Sequence, residues 1–149
     1  RINRPKSGVF KKADVGYYKH LQEFRVDDVS GFTVGDLLKV EMFEVGEKVN
    51  VSGKSKGKGF QGTVKRHGFK GGPKTHGQSD RHRAPGSIGQ SSTPSRVFKG
   101  TRMSGHMGDV QVSIKGLRVI RIDEESNVML LRGAVPGPKG GTIVIRKTH

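Results

Sequence analysis

The sequence predicts a mainly β fold, a small barrel or sandwich, interrupted by a long irregular segment. Short stretches of alternating apolar and polar residues recur at near-even spacing in both flanks of the chain, which has 149 residues and fits one domain. No amphipathic helix of ordinary length is evident. Residues 52–108, called the basic tract below, are rich in glycine and cations and hold no sustained period.

The first flank, residues 1–51, predicts an N-terminal arm followed by strands. Residues 1–19 are basic and broken by proline and glycine, which favours an irregular arm. Residues 21–26 (LQEFRV) alternate weakly and are a candidate strand, and residues 37–43 (LLKVEMF) fit a strand or a helix, with strand preferred. Residues 47–52 alternate clearly and place Val49 and Val51 on one face.

The second flank, residues 109–149, is the most regular part of the chain. Residues 110–114 and 117–122 predict two strands. The polar turn at residues 124–127 and the apolar return at 128–131 then predict a hairpin. A proline- and glycine-rich loop at 134–141 precedes a last strand at 142–145.

Positive charge is concentrated in the basic tract. Its seven lysines and five arginines face a single acid, Asp80, so it carries +11 of the chain's net charge of +15, together with thirteen of the 23 glycines. Such a segment cannot bury a core of its own and needs a polyanion to order it. A membrane surface would also attract this charge, but it usually comes with an amphipathic helix or a lipidation signal, and neither is found. The absence of cysteine excludes disulfides and thiolate metal sites.

One glycine motif in the tract resembles those of nucleotide-binding enzymes. Residues 57–62 (GKGFQG) fit the G-x-G-x-x-G pattern, which needs an amphipathic helix after it to hold a pyrophosphate. Residues 63–72 (TVKRHGFKGG) cannot form that helix, and the His-Arg-Asp and Asp-Phe-Gly motifs of a kinase do not occur. The plainer interpretation is that these glycines let the backbone approach phosphates closely.

Two further groupings suggest chemistry that the spacing does not support. The histidines at 67, 76, 82 and 106 match no metal-ligand pattern, and their cationic neighbours oppose a bound cation. Ser79, Asp80 and His82 could be imagined as a hydrolase triad, but adjacent residues in a glycine-rich loop lack a rigid frame and an oxyanion hole. We therefore expect no catalytic residue, no metal and no cofactor.

RNA is the partner that the tract favours. Its cations are interleaved with aromatic residues, and RNA offers phosphates to guanidinium groups and bases to aromatic faces. The candidate RNA-binding residues are Lys54, Lys56, Lys58, Lys65, Arg66, His67, Phe69, Lys70, Lys74, His76, Arg81, His82, Arg83, Gln90, Arg96, Phe98, Lys99, Arg102 and His106.

A string of local motifs stands out along the chain. These motifs are SKGKGFQGTVKR at 55–66, THG at 75–77, HRAPGSIGQ at 82–90, TP at 93–94, RVFKG at 96–100, MSGHMG at 103–108 and GAVPG at 133–137. Together they closely resemble the bacterial-type ribosomal protein L-three family. Their consistent order along the chain makes this resemblance far more specific than the lone glycine motif.

The resemblance implies a translation-protein type β-barrel, partial in this chain, on the surface of the large (50S) ribosomal subunit. Barrel strands would come from residues 1–51 and 109–149. Residues 52–108 would form an extension that threads through large-subunit (23S-type) rRNA toward the peptidyl-transferase centre. The implied tip of this extension comprises Pro85, Gly86, Ser87, Ile88, Gly89, Gln90, Ser91, Ser92 and Thr93.

The family further implies a structural, non-enzymatic role early in subunit assembly. Expected neighbours are large-subunit proteins such as L-fourteen and L-nineteen, with no membrane and no small-molecule substrate. The implied location is the ribosome of a bacterial cytoplasm, with an organellar ribosome left open.

Three departures from the family pattern are visible. Family members carry a further N-terminal segment that supplies the first barrel strands, so we expect that this chain, which starts at Arg1, does not close a barrel alone. Some bacterial members have a methylated glutamine where Ser92 stands, and the family often has a tryptophan where His67 stands.

A free-standing nucleic-acid module that binds DNA and RNA alike is the alternative function.

Overall fold

An antiparallel four-stranded sheet forms the centre of the computed structural model, which describes residues 2–26 and 28–148. The strands are β1 Lys48–Lys54, β2 Phe60–Gln61, β3 Gly105–His106, β4 Gln111–Asp123, β5 Val128–Arg132 and β6 Ile143–Lys147. The strand order of the sheet is β5-β4-β1-β6, and β2 pairs with β3 in a separate two-stranded sheet. Over the described ranges the sheet is open, with no closed barrel, so the mainly β prediction is confirmed in that coarser form.

The hydrophobic core covers one face of the four-stranded sheet. Val49, Val51 and Val119 are each at most 1% exposed and lie on the two central strands, β1 and β4. The predicted strand at residues 47–52 and the shared face of Val49 and Val51 are thus confirmed. Half-buried apolar residues complete this core: Phe43, Leu117, Ile122, Met129, Leu131, Ile143 and Ile145.

A first bulge explains why the single strand β4 occurs where two strands, at residues 110–114 and 117–122, were predicted. Opposite the step from Val49 to Val51, β4 contains one residue more than β1. Gly116 lies in this bulge with φ +72°, and its N–H donates a 3.1 Å hydrogen bond to Asn50 Oδ1. A glycine in the left-handed region is the usual solution for such a bulge. The strand therefore continues through the position where the alternation of the sequence breaks.

A second bulge in β4 lies opposite β5. Val119 pairs with Leu131 and Arg121 with Leu130, which leaves Ile120 without a partner. Ile120 is 48% exposed, and the bulge shifts the alternation by one residue, so that Ile122 and not Arg121 returns to the core face. The predicted hairpin through residues 124–127 is confirmed, as is the last strand, which runs from Ile143 to Lys147.

The prediction of an irregular N-terminal arm is wrong, since residues Arg4–Lys12 form the helix α1. Asn3 caps it by accepting the N–H of Lys6 at 3.2 Å, and a proline occupies its first turn, where no intrahelical N–H is needed. Phe10 is 3% exposed, and its ring centroid lies 5.8 Å from that of Tyr17 in an edge-to-face contact. This aromatic packing supports a helix too short to be stable alone.

The predicted strands at 21–26 and 37–43 do not form. Residues 21–26 have no regular structure, and the second stretch contains only a 3₁₀ turn, Val40–Met42. Neither stretch has a partner strand, and Leu21 and Leu37 are 63% and 78% exposed. The Val40 N–H donates to Asn127 Oδ1 at 3.1 Å, which ties this region to the β4–β5 turn. In the ranges that the structure describes, no helix has the length and apolar character to cross a bilayer.

Candidate nucleic-acid interface

The basic tract leaves the sheet as a two-stranded ribbon, called the stem below (residues 55–61 and 105–110). Ser55 donates its N–H to the carbonyl oxygen of Val110 at 2.9 Å, directly after the last pair of β1 and β4. Lys58 N–H donates to Met107 O, and Met107 N–H donates to Gly59 O, both at 2.9 Å. The stem therefore prolongs the two central strands of the sheet and holds the tract at a fixed base.

Gly108 makes the lower part of the stem possible. Its φ is +74°, and a Cβ at this position would overlap the carbonyl oxygen of Lys56. Only glycine combines this backbone conformation with such a close approach. Lys54, at the base, forms an ion pair of 2.9 Å with Asp109. This hydrogen bond and the attraction of the ammonium hold the pKa of the Asp109 carboxyl below its usual value of 3.8.

A single turn of helix, α2 (Thr63–His67), closes the top of the stem. It begins after Gly62 and ends at Gly68, whose φ of +74° and N–H bond to Val64 O form a left-handed cap. Arg66 Nη1 donates to Met103 O at 2.7 Å, and His67 Nε2 lies 3.0 Å from the same oxygen. Two of the candidate RNA-binding side chains thus also hold the protein's own backbone.

Beyond the stem, residues 71–82 fold into a compact loop. Gly72 donates its N–H to His82 O at 2.8 Å, and His82 Nδ1 lies 3.0 Å from Pro73 O. Gly71, with φ +77°, lies against the His82 carbonyl so closely that a Cβ would overlap it. The loop holds His82 half-buried and leaves Lys74, among others, exposed.

An open cleft of about 880 Å³ lies between the segment that follows α2, this loop and the predicted tip. Its walls combine Phe69 and Ile88 with Lys70 and Arg81, and glycine backbone forms much of the remainder. His67 packs on Phe69 at a centroid distance of 5.9 Å. An apolar wall beside two cations suits a nucleotide, which offers a base to stack and a phosphate to pair.

The rest of the predicted site is exposed. The residues assigned to the tip lie at the surface, where Ser87 Oγ donates to Gly89 O at 3.0 Å. Arg96 lies 5.7 Å from the ring centroid of Phe98, which is itself 54% exposed. The exposed members of the candidate set are Lys54, Lys56, Lys58, Lys65, Lys70, Lys74, His76, Arg81, Arg83, Gln90, Arg96, Phe98, Lys99, Arg102 and His106.

Few of these charges are neutralised within the protein. Among residues 2–26 and 28–148, the Lys54–Asp109 pair is the one ion pair that involves the basic tract. The tract therefore presents a surface of uncompensated cations on a backbone that the stem partly orders. The sequence did not predict the hydrogen bonds that hold this surface in place, such as those of Arg66 and His67 with the carbonyl oxygen of Met103. Every residue has a backbone carbonyl, so the sequence does not show which carbonyl will accept such a bond.

Comparison with known proteins identifies the family. A sequence model described as ribosomal protein L3 matches residues 25–129. The large ribosomal subunit protein uL3 of Saccharophagus degradans is 51% identical over 146 residues, which cover 98% of this chain and 68% of that protein. The uL3 of Xanthomonas campestris is 52% identical over 147 residues, with 97% and 68% coverage.

A third relative gives the same picture, since uL3 of Pseudomonas fluorescens is 51% identical over 98% of this chain and 69% of its own length. These relatives are all bacterial and give no support to an organellar ribosome. A ribosomal protein of this kind is structural, and the chain is not an enzyme. The family match over most of the sequence confirms the resemblance carried by the motifs of the tract: the chain belongs to the ribosomal protein L3 family.

Proposed function

We propose that this chain is a structural constituent of the large ribosomal subunit and binds 23S-type rRNA through its basic tract. The observation that carries the proposal is the stem, from which the exposed cations of the basic tract project beyond the end of a folded sheet. Among the residues that the structure describes, Lys54 is the one cation of the tract that forms an ion pair. The relatives are large-subunit ribosomal proteins, which supports the same conclusion.

Binding rests on charge neutralisation and on shape. Each lysine or arginine that contacts a phosphate releases a condensed counterion, so affinity falls steeply with salt. The stem and the loop at 71–82 reduce the conformational entropy lost on binding, because part of the backbone is ordered beforehand. The cleft beside Phe69 offers a place for an unpaired base, with Lys70 and Arg81 near its phosphate.

The arrangement of stem and sheet also suggests how the chain is oriented in the large subunit. The stem fixes the direction of the tract, and its exposed tip, residues 85–93, reaches through rRNA toward the peptidyl-transferase centre. The sheet lies at the subunit surface beside proteins such as L-fourteen and L-nineteen, in a bacterial and therefore cytoplasmic ribosome. A segment that is ordered fully only by rRNA acts early, before the surrounding RNA closes, which supports a role in early assembly.

The test is incorporation into large subunits. Lys56, Lys58, Lys65 and Lys70 are exposed and outside the described ion pairs, so changing all four to Gln leaves the fold intact. We expect this variant to be lost from large subunits sedimented in high salt. A matched variant neutralises Lys11, Lys12, Lys19 and Lys139 instead and stays bound.

Equal retention of both variants would contradict the proposal. Equal affinity of the wild-type chain for DNA and rRNA, with loss of all nucleic acid in high salt, would favour the free-standing module. For the tip, we expect Ser91→Ala and Ser92→Ala to change sensitivity to drugs of the peptidyl-transferase centre without reducing the yield of subunits. A loss of yield with unchanged drug sensitivity would contradict the placement of the tip.

A further inference from the structure

Three cations stand in a line across the four-stranded sheet, far from the basic tract. Lys48 on β1 lies directly opposite Arg118 on β4, and Arg118 lies directly opposite Arg132 on β5. All three are exposed, whereas their neighbours Val49 and Val119 are buried. Because successive side chains of a strand alternate between faces, these cations, called the cross-strand row below, project from the face opposite the core.

Such a row is costly in the isolated chain. Directly opposed residues of an antiparallel pair have Cβ atoms about 4.5–5.5 Å apart, and like charges in this position destabilise the sheet. In the part of the chain that the structure describes, none of the three takes part in an ion pair. Arg146, paired with Asn50 and also exposed, adds another cation to the same face.

We propose that the cross-strand row binds the phosphate backbone of a second rRNA segment, separate from the one that the tract meets. The inference rests on the proposed function, since it assumes that rRNA is the partner. Lys48 and Lys54 lie at opposite ends of β1, so about 20 Å separates the row from the base of the stem at the usual rise of a strand.

The dimensions favour a polynucleotide over a small anion. Three adjacent strands span about 10 Å, and phosphates of one nucleic-acid strand follow each other at about 3.4 Å of helix axis. A row of three side chains can therefore contact several consecutive phosphates. Two of its members are arginines, whose planar guanidinium groups bind phosphate oxygens in pairs. Binding also removes the mutual repulsion of the row.

The first test compares two variants with the same change in charge. One carries Lys48→Gln, Arg118→Gln and Arg132→Gln, and the control carries Lys12→Gln, Lys19→Gln and Lys139→Gln, all exposed positions. Affinity for large-subunit rRNA is measured over a salt series. We expect the slope of log affinity against log salt to fall by about 2 in the row variant, at roughly 0.7–0.9 per lost phosphate contact, and to change by less than about 1 in the control.

Thermal melting of the free chains shows whether the row variant folds. Removal of the repulsion predicts a higher melting temperature for the row variant than for the control. An unchanged slope in a folded row variant overturns the inference, because the row then contributes no phosphate contact. If instead the wild-type chain fails to bind rRNA at all, or the four-lysine tract variant binds as well as wild type, the proposed function itself fails.

A second test maps the RNA directly. The chain has no cysteine, so a single introduced cysteine can carry a hydroxyl-radical cleavage reagent at a chosen position. Lys115→Cys places the reagent on β4 near the row, and Ser91→Cys places it at the tip. We expect cleavage of two different rRNA segments in assembled subunits. Cleavage from the tip position together with none from the sheet position would overturn the inference.

Discussion

The guanidinium group of Arg66 donates a 2.7 Å hydrogen bond to the carbonyl oxygen of Met103, which lies 37 residues further along the chain. The same group lies against Gly105, where a Cβ would be 2.8 Å from Nη1. The contact joins the two arms of the tract where they leave the stem. A cation that the sequence assigns to RNA therefore also holds the protein together.

Replacement of Arg66 by Gln is expected to loosen the stem. A half-exposed hydrogen bond from a charged donor contributes about 1 kcal/mol, below the range for buried ones. We expect amide exchange at Lys58 and Met107, which bridge the stem, to accelerate by roughly fivefold, measured by NMR on the free chain. Lys65→Gln removes the same charge one residue earlier and serves as control. Equal acceleration in both variants would mean that charge, and not this contact, stabilises the stem.

Gly108→Ala is expected to disrupt the stem far more than Gly59→Ala. Both glycines have a positive φ, which costs an alanine about 1 kcal/mol. Only at Gly108 would the new methyl group also overlap a carbonyl oxygen, that of Lys56, whereas nothing lies within 4 Å at Gly59. We expect a loss in unfolding free energy above about 2 kcal/mol for Gly108→Ala. Denaturant unfolding measures both, and equal losses would show that the stem can shift to accept the methyl group.

The small core predicts a strong dependence on each of its valines. Val51 is fully buried, so Val51→Ala removes two buried carbon atoms and leaves a cavity. We expect it to lower the free energy of unfolding by about 2 kcal/mol. Val34, at 80% exposed, provides the matched control, for which the change is close to zero. Similar losses at the two positions would show that Val34 is covered in solution.

The ion pair at the base of the stem predicts a pH dependence at acid pH. The pKa of Asp109 is lowered by its hydrogen bond with Lys54 and by the attraction of that ammonium. A lowered pKa in the folded state stabilises the fold above pH 3.8, and this contribution disappears as the pH falls through the folded-state pKa. Lys54→Gln is expected to raise the pKa of Asp109 toward 3.8, as followed by NMR titration of the carboxyl group.

Asp36 gives an internal reference for this titration. Hydrogen bonds from the Thr33 side chain and backbone N–H lower its pKa, and Lys54 has no part in them. Its pKa is therefore expected to stay unchanged in Lys54→Gln. A shift of both carboxyl groups, or of neither, would contradict a local cause at Asp109.

Sequence patterns predicted the strands that have partners and failed for those that lack them. The alternation around Val49 and Val51 corresponds to β1, because one face of that strand is buried against real neighbours. Residues 21–26 alternate as well, yet without a partner strand they have no regular structure. Helix α1 was not predicted, because it is stabilised by the packing of Phe10 on Tyr17 and Tyr18. Helix propensities of single residues do not include such a contact.

For the candidate site as well, the sequence predicted some features and not others. Composition alone shows that the tract is cationic and predicts a polyanion as its partner. It cannot indicate that Arg66 and His67 share one carbonyl oxygen, since backbone contacts across the tract have no residue signature. The cross-strand row could not be predicted from the sequence either. It depends on how β4 is aligned with β1 and with β5. The register of β4 in turn depends on bulges that a simple alternation does not include.

Backbone hydrogen bonds join the stem directly to the ends of β1 and β4, so a rotation of the sheet is transmitted to the stem. The stem spans at most about 23 Å from Lys54 to Gln61, the length that these residues would have as a fully regular strand. A tilt of the sheet by about 5° would therefore displace the far end of the stem by up to about 2 Å, comparable with the tolerance of a hydrogen bond. A change in the orientation of the sheet would thereby also redirect the loop beyond the stem.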